Sequence, residues 1–298
     1  MQKLTTLQMA DFAATGLLRF DAVVPDAVNQ HFMQAMSELP DESPRDHSQR
    51  LMRERAVPEV SPGSPLAQAY DADSAIGRVL QVPEVAGAIA SLVGQNAVVD
   101  HHYLHMTFPG GRAQDTHQDS TIDLRRAFDV QMFYFPHAVT PDMGGTRFVP
   151  GTHLRIVSEM SLGRYQNILG QQSVVCPAGS VFFFHHGIWH GAGANRGPDT
   201  RYVLKIRMCP REPQVRLWDT ADLPESLDEQ QPIFWKNPDA PRHPIHQRLM
   251  ASQPWFEHDT GRLEMINRIH LWRYLTGDES FDMDYWATRV ENDPARVS

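Results

Sequence analysis

Apolar positions along the chain follow two different periods, and the change falls near residue 97. Before it, Val28, Phe32, Ala35, Met36 and Leu39 recur at helical spacing behind Asp26, and Val85, Ala88, Ile89, Leu92 and Val93 form one helix face that Gly94 ends. Thr5 and Thr6 can cap a shorter helix through Ala14 with Gly16 as its stop, and LLRF at 17–20 reads as a strand. Between Pro40 and Pro65 the chain is polar and broken by proline, so a loop is expected there.

From Ala97 to about Met208 the apolar residues fall in short runs divided by Gly, Pro and Asp: VVDHHYLHMTF, FDVQMFYF, TRFVPG, QSVVCP, SVFFFHH and RYVLKIRM. Short strands at this frequency, without long helices between them, indicate a sandwich or small barrel. In RYVLKIRM, strict alternation puts Lys205 and Arg207 on the side of Arg201, which requires either a polar interior or a bulge. After Pro210 the chain is proline-rich, carries Trp218, Trp235, Trp255 and Trp272, and has a helical pattern near 261–275. The expected organisation is one domain over 1–298, mainly β with flanking helices: helical support and a loop over 1–96, a β core over 97–209, and a helical and loop annex over 210–298. The 40–65 loop and the annex are expected to flank the mouth of the core.

Composition narrows the function classes. The 298 residues are 41% hydrophobic and 21% charged, as in ordinary globular proteins. Lys and Arg number 27 against 36 Asp and Glu, a net charge of −9 with no dense basic run, so nucleic acid and anionic membranes are poor partners. The opening MQKLTTLQMADFAATG lacks the apolar core and cleavage site of an export signal, and no window approaches about 18 uninterrupted apolar residues, so a cytoplasmic location is expected. Cys176 and Cys209 form no Cys-x-x-Cys pair, which excludes a disulfide framework and a cysteine zinc site.

Histidine is the unusual residue, with 15 in the chain and several between 101 and 190. His117-Gln118-Asp119 places an imidazole and a carboxylate on one side of an extended segment, where both can ligate one cation. Composition alone produces about one such pair by chance, so the pair is weak evidence by itself. The segment GSVFFFHHGIWHGAGANRGPDTR strengthens it: a glycine turn, a buried strand, His190 followed by Gly, a glycine-rich loop, then Arg201 opening another strand. Two His and one Asp form the facial triad that suits non-haem Fe(II) and leaves positions open for a chelating cosubstrate and dioxygen. A nearby arginine can grip a carboxylate of that cosubstrate bidentately. His185 and His186 compete with His190 but do not begin the His-Gly turn, and a structural role is expected for them. His101, His102, His105, His137 and His153 have no ligand spacing and are expected to be hydrogen-bonded strand or loop residues.

Four ordered segments resemble the phytanoyl-CoA dioxygenase-like branch of the Fe(II)/2-oxoglutarate oxygenases: FAATGLLRFDAVVPDAV from Phe12, HQD at 117–119, VTPDMGGTRFVPGTH at 139–153 (close to the family's NGxLxxxPGSH), and Gly179 to Arg201. The resemblance implies a double-stranded β-helix (jelly-roll, cupin-like) core. It implies Fe(II) held by His117, Asp119 and His190, and 2-oxoglutarate held by Arg201. Thr146 and Gln114 match residues that touch the cosubstrate in a subgroup that tailors natural products. Ala192 stands where many members have Ser or Thr, a lost hydroxyl that Gln114 or Thr146 can supply. Phe133 stands where several relatives carry Trp and is expected to line the site.

The implied chemistry couples O2 and 2-oxoglutarate to oxidation of an unactivated C–H bond of a small metabolite, releasing succinate and CO2. Hydroxylation is the default outcome, with desaturation, epoxidation or rearrangement open. Asp119 argues against a halogenase, which empties that position. A metal-dependent β-barrel isomerase or dioxygenase without 2-oxoglutarate, which has no need of Arg201, and a metal-free binding barrel are the rival readings. The annex offers a surface for a homo-oligomer as readily as a lid.

Overall fold

Mostly apolar runs with no polar alternation, as in VQMFYF and SVFFFH, fit a strand buried on both faces; all six residues of each are buried, and both form central strands. The computed structural model describes residues 1–37, 57–119, 127–155, 159–164, 167–224, 243–256 and 261–278. Two antiparallel sheets dominate. Strands β1 (Leu17–Phe20), β2 (Val98–Thr107), β4 (Val130–Phe135), β7 (Ser180–His185) and β9 (Arg201–Cys209) form the larger sheet in the order β1-β7-β4-β9-β2. Strands β3 (Gln114–His117), β5 (Thr146–Val149), β6 (Gln172–Ser173) and β8 (Trp189–Ala192) form the smaller one in the order β3-β8-β5-β6.

Alternation sorts the large sheet's side chains into two cores. Met132, Tyr134, Val181, Phe183, Leu204, Ile206 and Met208 face the helices, whereas Phe133, Phe135, Phe182, Phe184 and Val203 face inward and pack with Phe148 of the small sheet. The inward parity of β9 carries Arg201, Val203, Lys205 and Arg207, so the interior is polar at this strand, the first of the two options the sequence left. Arg207 is balanced by Asp129, with Nη2 2.5 Å from its carboxylate.

The helices follow their sequence signals. Helix α1 (Thr6–Thr15) starts with a reciprocal capping box between Thr5 and Gln8 and stops at Gly16, whose φ of 72° is left-handed. A Cβ at Gly16 would lie 2.6 Å from the His153 ring, so glycine serves both the turn and the contact. Helix α2 (Asp26–Ser37) and the short α3 (Leu66–Ala69) and α4 (Ala75–Leu80) precede α5 (Pro83–Leu92), and α6 (Glu159–Leu162) follows β5. Helices α7 (Pro244–Leu249) and α8 (Gly261–Thr276) belong to the C-terminal annex and join α1 in the helical core, where Trp218 and Trp272 pack 5.8 Å apart. Residues 40–56 of the expected 40–65 loop lie outside the described residues. Its described remainder runs beside the start of β2, where Pro65 bridges Val98. QSVVCP is strand only at Gln172–Ser173, and Cys176 then makes an isolated bridge to Val139.

Candidate metal and cosubstrate site

His117 and His190 stand directly opposite each other on β3 and β8, and their ring centroids lie 4.3 Å apart. Each ring is oriented by its own backbone: Nδ1 of His117 lies 2.9 Å from the Asp115 carbonyl and Nδ1 of His190 lies 3.1 Å from the Ile188 carbonyl. A carbonyl only accepts, so both Nδ1 atoms carry a proton and both Nε2 atoms are left for another partner, as a lone pair for a cation or as a donor when the ring is protonated. Both Nε2 atoms face one carboxylate, with His117 Nε2 3.4 Å from Asp119 Oδ1 and His190 Nε2 3.6 Å from Asp119 Oδ2. The three ligand atoms lie within 4.8 Å of one another, the only such group of three among the described residues. The donor set therefore fits a divalent cation of the 2-His-1-carboxylate type.

Neighbouring side chains fix this geometry. Gln118 turns the opposite way from its flanking ligands, and its Nε2 donates to the carbonyls of Arg155 and Gly187, each at 2.6 Å. Gly191 lets β3 approach β8, since a Cβ there would meet the Gln114 carbonyl at 2.9 Å. Asp119 accepts from the Gln131 amide and, at 2.9 Å, from Lys205 Nζ. Burial raises the Asp119 pKa, but its bond to His117 and the charges of His190 and Lys205 outweigh this and hold it well below the usual carboxylate range. Burial pushes His190 down to about 4 against the pull of Asp119. Burial also acts on His117, yet its bonds to Asp119 and Asp115 hold it above its ordinary value.

The triad opens into a cavity of about 270 Å³. Arg201 enters the same cavity with 3% of its surface exposed. Its Nη1 donates to the carbonyls of Met143 and Gly144, its Nη2 donates to Thr107 Oγ1 at 2.9 Å, and its Nε is buried without an acceptor. Among the described residues no carboxylate pairs with it, and burial pushes its pKa down to about 10. A buried guanidinium without an acid fits an external carboxylate. Gly144, at φ 63°, presses so close to Ala194 that a Cβ would lie 2.1 Å from its carbonyl, which explains the glycine beside this arginine.

The remaining site residues named from sequence also line this cavity. Thr146 and Gln114 both stand opposite Ala192, one on each neighbouring strand, so a threonine and a glutamine flank the position that lacks a hydroxyl. Phe133 lines the wall and packs edge-on against Phe184 at 4.7 Å.

His105, expected to be an ordinary strand residue, instead lines the cavity, with Tyr103 and Thr107 at the same parity of β2. The other histidines have separate partners: Asp100 for His101, Tyr70 for His102, and the Tyr202 amide for His137. His153, His185 and His186 form a buried stack away from the triad. No described residue of the annex lines the cavity, and residues 225–242, 257–260 and 279–298 of the annex lie outside the described residues. Sequence reasoning missed Tyr103, Arg112 and the Gln131 bond, and alternation with Phe133 was the available signal for Gln131.

Residues 12–203 match the model of the phytanoyl-CoA dioxygenase (PhyH) family. The chain is 27% identical over 133 residues to the uncharacterized proteins Rv1501 of Mycobacterium tuberculosis and Mb1539 of Mycobacterium bovis, a match covering 42% of this chain. The chain spans about half the length of these relatives, the matched part being 48% of each. Among solved structures, it is similar to SnoK, a non-heme alpha-ketoglutarate-dependent carbocyclase from nogalamycin biosynthesis, with TM-score 0.51, 18% identity, and coverage of 70% of this chain and 84% of that one. It is also similar to apo HygX from Streptomyces hygroscopicus, with TM-score 0.50, 14% identity, and coverage of 70% and 87%. At these identities the likeness is one of fold.

Proposed function

The chain belongs to the phytanoyl-CoA dioxygenase family, and from that premise we propose that it is an Fe(II)- and 2-oxoglutarate-dependent dioxygenase that oxidises, by default hydroxylates, an unactivated C–H bond of a small metabolite. One observation carries this reading: two imidazole Nε2 atoms and one carboxylate converge in a cavity that also holds a buried guanidinium without an acid partner. His117, Asp119 and His190 would hold the iron, and Arg201 would hold the distal carboxylate of 2-oxoglutarate. With these bound, the iron centre supplies oxidative decarboxylation of 2-oxoglutarate to succinate and CO2, with transfer of one oxygen atom of O2 to the substrate.

The chain's own residues do the positioning. The Asp115 and Ile188 carbonyls keep the Nε2 atoms of both histidines free to ligate. Gln131 and Lys205 keep Asp119 ionised and aimed. Thr146 and Gln114 offer polar contacts to the cosubstrate at the place where Ala192 offers none, and Phe133 with Phe184 keeps one wall dry. A metal isomerase has no use for Arg201, and a metal-free binding barrel has none for the triad. We read the two sheets as a double-stranded β-helix and the whole chain as one domain. The unpaired Cys176 and Cys209 suit a reducing, cytoplasmic setting.

The test is mass spectrometry of a metabolite library incubated with the protein, Fe(II), ascorbate and 2-oxoglutarate. A gain of one oxygen with equimolar succinate is expected. Product formed without 2-oxoglutarate would overturn the reading.

A further inference from the structure

An acidic chain has built a basic cavity. Against a net charge of −9, the described wall carries Arg112, Arg201 and Lys205 and a single acid, Asp119. Under the oxygenase reading, on which this inference rests, the dication and the 2-oxoglutarate dianion cancel each other. Arg201 is then committed to the cosubstrate and Asp119 to the metal, which leaves Lys205 and Arg112 as the two basic side chains of the wall with no anion assigned to them.

Lys205 is the more informative of the two. Its side chain is 8% exposed, and among the described residues Nζ makes one hydrogen bond, to Asp119 Oδ2 at 2.9 Å. An ammonium has three N–H groups, so two remain without acceptors among the described residues. The ring of Tyr103 lies 6.0 Å from Nζ and supplies a π face but no strong acceptor. Burying a cation with two unused donors is costly unless a ligand completes them. Arg112 stands exposed on the same wall, where it adds charge at the entrance.

We propose that the substrate is an organic carboxylate whose anionic end docks on Lys205, with Arg112 as the outer cation. A carboxylate fits better than a phosphoryl group, because the Asp119 charge beside Lys205 repels a dianion more strongly than a monoanion. Lys205 is thus a specificity residue as well as a partner of Asp119.

The experiment uses the full chain loaded anaerobically with Fe(II) and saturating 2-oxoglutarate. Calorimetry measures binding of acid and amide pairs of matched shape, from butyrate and butyramide to indole-3-acetate and indole-3-acetamide. For at least one pair the acid is expected to bind about 10- to 100-fold more tightly than its amide. Lys205→Met should erase that difference and Lys205→Arg should keep most of it, each compared with wild type at matched Fe(II) and 2-oxoglutarate occupancy, which is measured first on the same samples and reached by raising the concentration of either where the variant binds it less well. Arg112→Met should reduce the difference by about threefold. Equal binding of every acid and its amide, binding of no acid at all, or a Lys205→Met loss shared equally by acid and amide would overturn the proposal, the last by leaving Lys205 only its hold on Asp119. If wild type fails to bind 2-oxoglutarate, the oxygenase reading falls, and the same comparison without 2-oxoglutarate still decides the role of Lys205.

Discussion

Two groups of histidines, a pair facing each other on β3 and β8 and a cluster at the end of β7, have been given different chemistry. In the His117 and His190 pair, each Nδ1 is held by a backbone carbonyl two residues away, and each Nε2 faces Asp119. In the His153, His185 and His186 cluster, Nδ1 of His185 accepts from the Gly187 amide, Nδ1 of His186 lies against both the amide and the carbonyl of Asp129, and one nitrogen of each of the three rings is buried without a partner. The nearby carboxylate, Asp129, is already bound by Arg207. Crowding of imidazoles therefore does not make a metal site. What makes one is two Nε2 atoms that face the two oxygens of the same carboxylate.

The largest expected effect separates the two groups outright. Asp119→Ala or His190→Ala should lower Fe(II) affinity by more than about 100-fold and abolish succinate formation, whereas His185→Asn should bind iron like wild type. Metal content after anaerobic reconstitution and gel filtration checks this, and iron loss in His185→Asn would break the contrast.

A second effect belongs to the stack. Burial pushes His153 down to about 3 and His185 well below its ordinary value. Because these folded values lie below the unfolded one, the unfolded chain binds more protons. Stability is then full above an unfolded pKa of about 6.5 and falls as pH drops below it. Between about pH 7.5 and pH 5, His153 alone should account for about 2 kcal/mol of lost stability. Denaturant unfolding across that range should show a shallower pH slope in His153→Asn, and an unchanged slope would assign the loss elsewhere.

The smallest effect concerns the flanks of Ala192. Thr146→Val should weaken 2-oxoglutarate binding by about 3- to 10-fold through loss of one hydroxyl, and Ala192→Ser in that background should restore part of it. No change in either affinity would show that Arg201 binds the cosubstrate without them.

How far the sequence reached depended on whether phase along a strand was readable. His190 and Arg201 were legible because they sit in a local pattern of strand, glycine-rich loop and strand, and His117 and Asp119 because their His-x-Asp spacing precedes that pattern. Lys205 was visible as a question, since parity with Arg201 put it indoors. His105 and Tyr103 were not, because β2 has a register shift between Val99 and His101 that breaks the count from the start of the strand. Strand β3, with its polar sequence QDTH, carries no apolar signal and is recognised only by its pairing with β8. The helices were read closely because Thr5, Gly16 and Asp26 mark their ends chemically. Within the annex, Trp218 and Trp272 lie in the helical core, while the segments 225–242 and 279–298 fall outside the described residues.

The central claim is that one cavity joins a metal triad to a carboxylate-binding arginine. Its most direct test is an anaerobic titration of the Fe(II)-loaded protein with 2-oxoglutarate, followed by the visible charge-transfer absorption that appears when a 2-oxo acid chelates ferrous iron, in wild type and Arg201→Ala. The account predicts a saturable band in wild type, and in Arg201→Ala the same iron content with about 10- to 100-fold more 2-oxoglutarate needed to reach it. A ferrous wild type that develops no band, or two superimposable titrations, would contradict it.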